Sequence, residues 1–412
     1  MMLYSFIIVN VIICVGGSSS HPPGHLQPLG LHLPPITDIP VLNKFPSSVE
    51  FYEKYVKDGG KPVIFKNVLE TVDMPVYYKW TDDYLDKNYG DIMVDMEIGK
   101  KEIRKGEMFS RKLSYFLKRY KNMDAYLVED LPDRMKKDMA IPSSLRCGGF
   151  QNVIHTVVMW FSSGGTKSVF HTDDLDNINC LLDGKKDLIM MDRKYAHLVE
   201  ADGWHKDGSY SDLDVDSVDM YKFPNLKDIP WYQVNLTKGD CLYIPYKWYH
   251  HVYSHPGRNF AVNVWFFHRR WFNVTDCHGV DLNVSTAIPF TQFKKPSKLE
   301  KFRDDLIMSL DGKEFISQTL FSETLQENDN DLASVADEIF TIIDTDKDGY
   351  ISISELYSSG NEIFAFELEE DSKTKDGRVD YDQSNMEDDS LKDDLTKTNA
   401  DVYVNSNNHE EL

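Results

Sequence analysis

The stretch His171-Thr172-Asp173-Asp174-Leu175-Asp176-Asn177-Ile178-Asn179-Cys180-Leu181-Leu182-Asp183-Gly184-Lys185-Lys186 decides the reading of this 412-residue chain. It sets an H-x-D pair ahead of two apolar runs, 178–182 and 187–191, parted by Asp183-Gly184 as a turn parts two strands. Side chains alternate along a strand, so His171 and Asp173 share one face and Thr172 takes the other. A third ligand is available downstream in Trp248-Tyr249-His250-His251-Val252. His250 shares its face with Trp248 and Val252, and these apolar neighbours favour it over His251 for a barrel interior. Two imidazoles and one carboxylate make a facial triad, which leaves three positions on a divalent iron open for a cosubstrate and dioxygen.

Working outward, further β-rich runs at 153–161, 169–173, 241–244 and 260–267 are separated by Gly164-Gly165 and Lys238-Gly239-Asp240. Many short strands with glycine-bearing turns predict a mainly β cupin or jelly roll with flanking helices. The run 61–66 reads as an edge strand because Pro62 cannot donate to a ladder. Helical spacing appears at 51–56 and within 108–120, and 202–232 shows no period and reads as an insertion loop near the barrel mouth. The composition, 41% hydrophobic and 12% aromatic, supports a sizeable core, while a formal charge of −22 argues against nucleic-acid binding.

A turn lysine is ordinarily solvated. Lys186, however, falls about one barrel rung from the metal pair, where a cation can hold the distal carboxylate of a dicarboxylic cosubstrate. On this set of motifs the chain resembles the JmjC oxygenases, in particular the small cupin-like hydroxylases related to the asparaginyl hydroxylase that inhibits hypoxia-inducible factor. The resemblance is carried by residues 61–67 and 126–131, by 171–177 with Lys186, by 239–245 leading into 248–252, and by Asn263-Val264-Trp265. It implies a double-stranded β-helix, iron(II) held by His171, Asp173 and His250, and 2-oxoglutarate paired with Lys186. Tyr126, Ser168, Asn177 and Asn263 match positions that line the 2-oxoglutarate pocket in the family.

The remaining sequence adds a compartment and a second metal. Residues 1–18 carry a short apolar run ending in small residues, as a secretory signal peptide does, and no later window spans a bilayer. The chain ends His409-Glu410-Glu411-Leu412, one residue from the retention tetrapeptides read by an endoplasmic-reticulum receptor. Sequons at Asn235, Asn273 and Asn283 fit that lumen. Cys147, Cys180, Cys241 and Cys277 could pair there, although Cys180 and Cys241 lie in apolar runs that suit buried free thiols. Residues 19–40, with six prolines, read as a linker, 41–286 as the cupin domain and 287–330 as a helical linker.

In 331–386, Asp344, Asp346, Asp348, Tyr350, Ser352 and Glu355 occupy the ligand positions of an EF-hand calcium loop, with Gly349 at its sharp turn. A weaker loop at 372–383 has Ser372 and Gln383 where Asp and Glu are wanted, so its role would be to pair with the first through Val379. Residues 387–412 read as an acidic, disordered tail; 361–412 hold 16 Asp/Glu against 5 Lys/Arg. The expectation is a luminal iron(II)/2-oxoglutarate hydroxylase of a protein or peptide side chain with a calcium-binding module. The alternatives are a luminal interaction protein whose cupin no longer turns over, or a demethylase.

Overall fold

A computed structural model describes residues 21–364, apart from 73, 101–107, 281–287, 291–296, 311–314 and 329. The signal peptide, the Asn283 sequon, the loop at 372–383 and the tail with its terminal tetrapeptide lie outside the described residues. The strands that build the barrel are β1 (Val41–Leu42), β2 (Val63–Phe65), β3 (Met93–Ile98), β4 (Met108–Lys112), β5 (Ala125–Asp130), β6 (Ile154–Ser162), β7 (Thr166–Lys167), β8 (Asp176–Asp183), β9 (Lys185–Met191), β10 (Tyr232–Thr237), β11 (Cys241–Ile244), β12 (Tyr249–Ser254) and β13 (Asn259–Phe266). Nine form one sheet in the order β1-β2-β11-β8-β13-β6-β5-β3-β4, and four form a second in the order β10-β9-β12-β7. Side chains of both sheets line one cavity between them. This is a cupin-type jelly roll with helices packed outside.

The alternation along the large sheet explains why its strands read as nearly continuous apolar runs. On β6, Val157, Met159 and Phe161 join the main core under the N-terminal helices, while Val158 and Trp160 turn the other way. On β8 and β13, Ile178, Cys180, Leu182, Phe260, Val262, Val264 and Phe266 enter the same core. Their alternates Asn177, Asn179, Asn263 and Trp265 face the cavity. A strand buried on both faces has no solvent stripe.

Several expectations change. Residues 169–173 do not form a strand: after β7 only His171 is paired, through single bridges to Tyr210 and His250. Within 108–120 the helix is confined to Leu113–Leu117, because Met108–Lys112 is strand β4 on the sheet edge. Cys180 and Cys241 are a disulfide, not free thiols, since β8 and β11 are neighbours in a register that sets them opposite one another at a Cα separation of 4.0 Å. Cys147 and Cys277 form a second disulfide.

The proline-rich segment is no free linker over 21–40. Leu29 is buried with Leu213, Val215, Val218, Met220, Phe223 and Trp231 of the insertion, in a satellite core against Phe170 and Tyr249. The Trp231 indole donates to the Leu33 carbonyl at 2.8 Å, and Gln27 and Ile36 bridge to Val218 and Tyr232. The strap and the insertion therefore bury each other's apolar residues beside the strand that carries His250.

The C-terminal residues pack as one unit from α1 (Lys298–Ser309), α2 (Gln318–Asn328), α3 (Ala336–Ile343) and α4 (Ile353–Ser358), with β14 (Phe315–Ser317) and β15 (Tyr350–Ser352) paired between them. Phe302, Leu306, Phe321, Ile339 and Phe340 share its core. The expected helical linker thus supplies half of this unit, and Ile351 of the acidic loop pairs with Ile316 upstream. The unit is seated on the barrel through Tyr357, whose ring lies 3.9 Å from that of Trp271 and whose hydroxyl accepts from the Arg269 guanidinium at 3.3 Å. No helix among the described residues is long and apolar enough to cross a membrane.

Candidate active site

His171 and His250 face each other because their backbones are joined in both directions. His171 N–H donates to the His250 carbonyl at 3.1 Å, and His250 N–H donates back at 2.8 Å. Each imidazole also donates Nδ1–H to a nearby carbonyl at 3.0 Å, His171 to Val169 and His250 to Trp248. These bonds fix the tautomer and direct both Nε2 atoms at Asp173, 3.7 Å from His171 and 3.5 Å from His250. Lys247 N–H donates to the Asp173 carbonyl at 3.0 Å, tying the third ligand to the turn that leads into β12.

The three donor groups lie within 4.8 Å of one another. Ligand atoms about 2.1 Å from an ion and at right angles sit about 3 Å apart, so a small contraction would close this triad on a divalent metal. The sequence expectation of His250 over His251 agrees with where the two point. His250 lines the cavity, whereas His251 faces away and donates Nδ1–H to the Ser168 carbonyl at 2.8 Å. Burial holds the His251 imidazole down at about 4, so it stays neutral and clamps β12 to the segment before His171.

Lys186 enters the same cavity from β9 and is 4% exposed. Its ammonium donates to Ser254 Oγ at 2.8 Å and makes no ion pair among the described residues. Burial pushes it down to about 8. A buried cation without a carboxylate is costly unless a ligand supplies the anion. In the same cavity stand orphaned polar atoms: Asn177 Oδ1, Trp160 Nε1 and Trp265 Nε1 have no hydrogen-bond partner among the described residues. Such atoms at a cavity wall call for a polar guest.

Asn177, Asn263, Tyr126 and Ser168 all line this cavity, Tyr126 with its ring 5.5 Å from Trp160. Ser168 does so with its hydroxyl engaged, accepting from Val252 N–H and donating to the Val169 carbonyl, each at 2.9 Å. Ser254, Asn179 and Trp160 were missed in the sequence, although the period of two that picks His250 and Asn177 also picks Ser254 and Asn179. Asp176 is fully buried and accepts from Tyr243, the Tyr246 N–H and His268, while Asp174 pairs with Lys247 and Asp216 with Lys167.

In the C-terminal unit, Asp344, Asp346 and Asp348 converge, with Gly349 at φ +85° allowing the turn. The Asp348 N–H works to lower Asp346, but burial and the like charges of Asp348, Glu355 and Asp344 hold that carboxyl above its usual value. Glu355 stands outside this trio. Its carboxylate accepts from Thr345, Asp346 and Ser352 backbone N–H groups. Burial opposes these bonds, which nonetheless hold Glu355 down at about 2. Ser352 and Glu355 form a reciprocal cap at the start of α4, and Tyr350 leads β15. Of the sequons, Asn235 is exposed and donates to Asp187 at 2.7 Å, while Asn273 Oδ1 accepts from the Thr275 hydroxyl at 2.6 Å.

A jelly roll with a convergent His-Asp-His triad and a buried lysine in one cavity defines a metal-site cupin. Residues 48–270, more than half of the chain, match the cupin-like domain, and the chain belongs to that family. It is similar to Lysine-specific demethylase 8 of Xenopus tropicalis, 28% identical over 244 residues, covering 56% of this chain and 53% of that protein. Jumonji C domain-containing protein 5 of Drosophila melanogaster is 27% identical over 249 residues, covering 55% and 59%. The human Bifunctional peptidase and (3S)-lysyl hydroxylase JMJD7 is 21% identical over 273 residues, covering 55% and 84%. The chain thus spans little more than half the length of the first two relatives.

Proposed function

We propose that this chain is an iron(II)- and 2-oxoglutarate-dependent oxygenase that hydroxylates a protein side chain in the lumen of the endoplasmic reticulum. The observation that carries the proposal is the pairing of the triad with Lys186, a buried ammonium with no carboxylate partner among the described residues, in one cavity. His171, Asp173 and His250 would hold iron(II), and Lys186 with Ser254 would hold the distal carboxylate of 2-oxoglutarate. When bound, that pair would supply an oxidation by dioxygen in which 2-oxoglutarate loses carbon dioxide and takes one oxygen atom to become succinate, while the other oxygen atom enters a C–H bond of the substrate. The chain's own part is geometric. The Val169 and Trp248 carbonyls keep both Nε2 atoms aimed at the metal position, Lys247 N–H fixes Asp173, and the walls Trp160, Trp265, Ile244 and Val252 exclude water.

The signal-like N-terminus and the terminal His-Glu-Glu-Leu support a luminal address read by a retention receptor, and Asn235, Asn273 and Asn283 would carry glycans there. The loop formed by Asp344, Asp346, Asp348, Tyr350, Ser352 and Glu355 would bind calcium, with β14 as its structural partner. Succinate release from 2-oxoglutarate by the purified chain with iron(II), ascorbate and luminal peptides tests the activity. The His171→Ala variant should abolish it, and succinate unchanged in that variant overturns the proposal. The names of the relatives motivate a second reading, demethylation, which a formaldehyde measurement beside the succinate assay separates, because both reactions release succinate and only removal of an N-methyl group releases formaldehyde.

A further inference from the structure

We infer that Asn179 is a positioning residue for the cosubstrate, acting by fixing which end of the Asn263 carboxamide faces the cavity; this rests on the 2-oxoglutarate reading above. Asn179 on β8 and Asn263 on β13 are direct register partners, and both line the cavity. They are 8% and 4% exposed. Asn179 Nδ2–H donates to Asn263 Oδ1 at 2.7 Å. With its oxygen engaged, Asn263 presents its Nδ2–H donors to the cavity.

That choice matters because the two ends of a carboxamide have nearly the same shape and opposite polarity. A dicarboxylate guest accepts hydrogen bonds and has none to give, so an Asn263 oxygen turned toward it is repulsive. Asn179 removes that alternative. An amide is an expensive residue at this nearly closed place on the cavity wall, where its own Oδ1 finds no partner among the described residues. An apolar residue would fill the site at lower cost to folding, so the amide is best explained by what it does to Asn263.

Two variants separate orientation from charge. In Asn179→Leu the donor is lost and Asn263 is free to turn. In Asn179→Asp the new carboxylate accepts from Asn263 Nδ2, which turns Oδ1 to the guest and adds a like charge. Calorimetry of 2-oxoglutarate binding to the manganese(II)-loaded full chain should rank wild type above Asn179→Leu above Asn179→Asp. The Asp variant should lose at least about tenfold, the scale of one hydrogen bond to a charged group. Manganese(II) affinity should not change, and the loss should appear in KM for 2-oxoglutarate more than in kcat. Either variant binding like wild type, or losing manganese(II) together with 2-oxoglutarate, overturns the inference. A wild-type chain that takes up manganese(II) but no 2-oxoglutarate overturns the functional reading itself, before the variants are compared.

Discussion

Replacing Lys186 with methionine should make the empty protein more stable and the liganded one weaker. In the folded chain burial lowers this ammonium from 10.5 to about 8. At about 1.4 kcal/mol per tenfold, that is about 3 kcal/mol of unfavourable burial. Lys186→Met keeps the stem and removes the charge, so the ligand-free variant should gain up to about 3 kcal/mol, less the lost Ser254 hydrogen bond, or roughly 5 °C in Tm. The sign follows from proton uptake. Between pH 8 and 10.5 the unfolded chain binds the proton and the native chain does not, so wild-type stability rises with pH there. The gain in the variant should therefore be full below about pH 8 and fade as pH approaches 10.5. Truncating one member of a buried charge pair costs roughly 2–5 kcal/mol, so 2-oxoglutarate affinity should fall at least about thirty-fold. Calorimetric melting with and without 2-oxoglutarate and manganese(II) reads both effects. A variant that melts lower when empty, or binds 2-oxoglutarate as wild type does, refutes the reasoning.

Other outcomes follow from the same geometry. In wild type, 2-oxoglutarate affinity should be flat below pH 8 and weaken above it as Lys186 loses its proton, because binding favours the charged form; a titration of Kd against pH checks this. Breaking the Cys180–Cys241 disulfide, which closes 61 residues, should cost about 4 kcal/mol of stability by the loop-entropy estimate, measured by denaturant unfolding of Cys180→Ser/Cys241→Ser. Trp231→Ala should free the 21–36 strap and cost about 3–5 kcal/mol, seen as faster hydrogen exchange at Leu29 and Val218. Calcium should raise the melting temperature of the wild type, and Asp344→Ala should abolish that rise.

The triad was legible because its ligands are short-range: an H-x-D pair and a histidine chosen by period two. The bounds of single runs such as 241–244 and the one that becomes Asn259–Phe266 were legible for the same reason, but the strand count was not: 169–173 forms none, and Met93–Ile98, Ala125–Asp130 and Tyr232–Thr237 went unread. Whatever depends on register between distant strands was not. The facing of Cys180 and Cys241, of Asn179 and Asn263, and of Lys186 and Ser254 follows from ladders that composition does not encode. The aperiodic insertion hid its apolar residues because they pack on a proline-rich strap rather than on a regular element. Nothing local marks Asp176 as buried; Tyr243, the Tyr246 N–H and His268 come to it from distant elements and make it a brace for the turn before His250. The partner strand of the acidic loop lies upstream at Phe315–Ser317 because that segment offers Ile316 to Ile351.

The most direct measurement is a crystal structure of the full chain grown with manganese(II) and 2-oxoglutarate. The account predicts one metal ion held by His171 Nε2, Asp173 and His250 Nε2. It also predicts the distal carboxylate on Lys186 and Ser254, with Asn263 Nδ2 turned inward. Metal bound elsewhere, or 2-oxoglutarate seated away from Lys186, would contradict it.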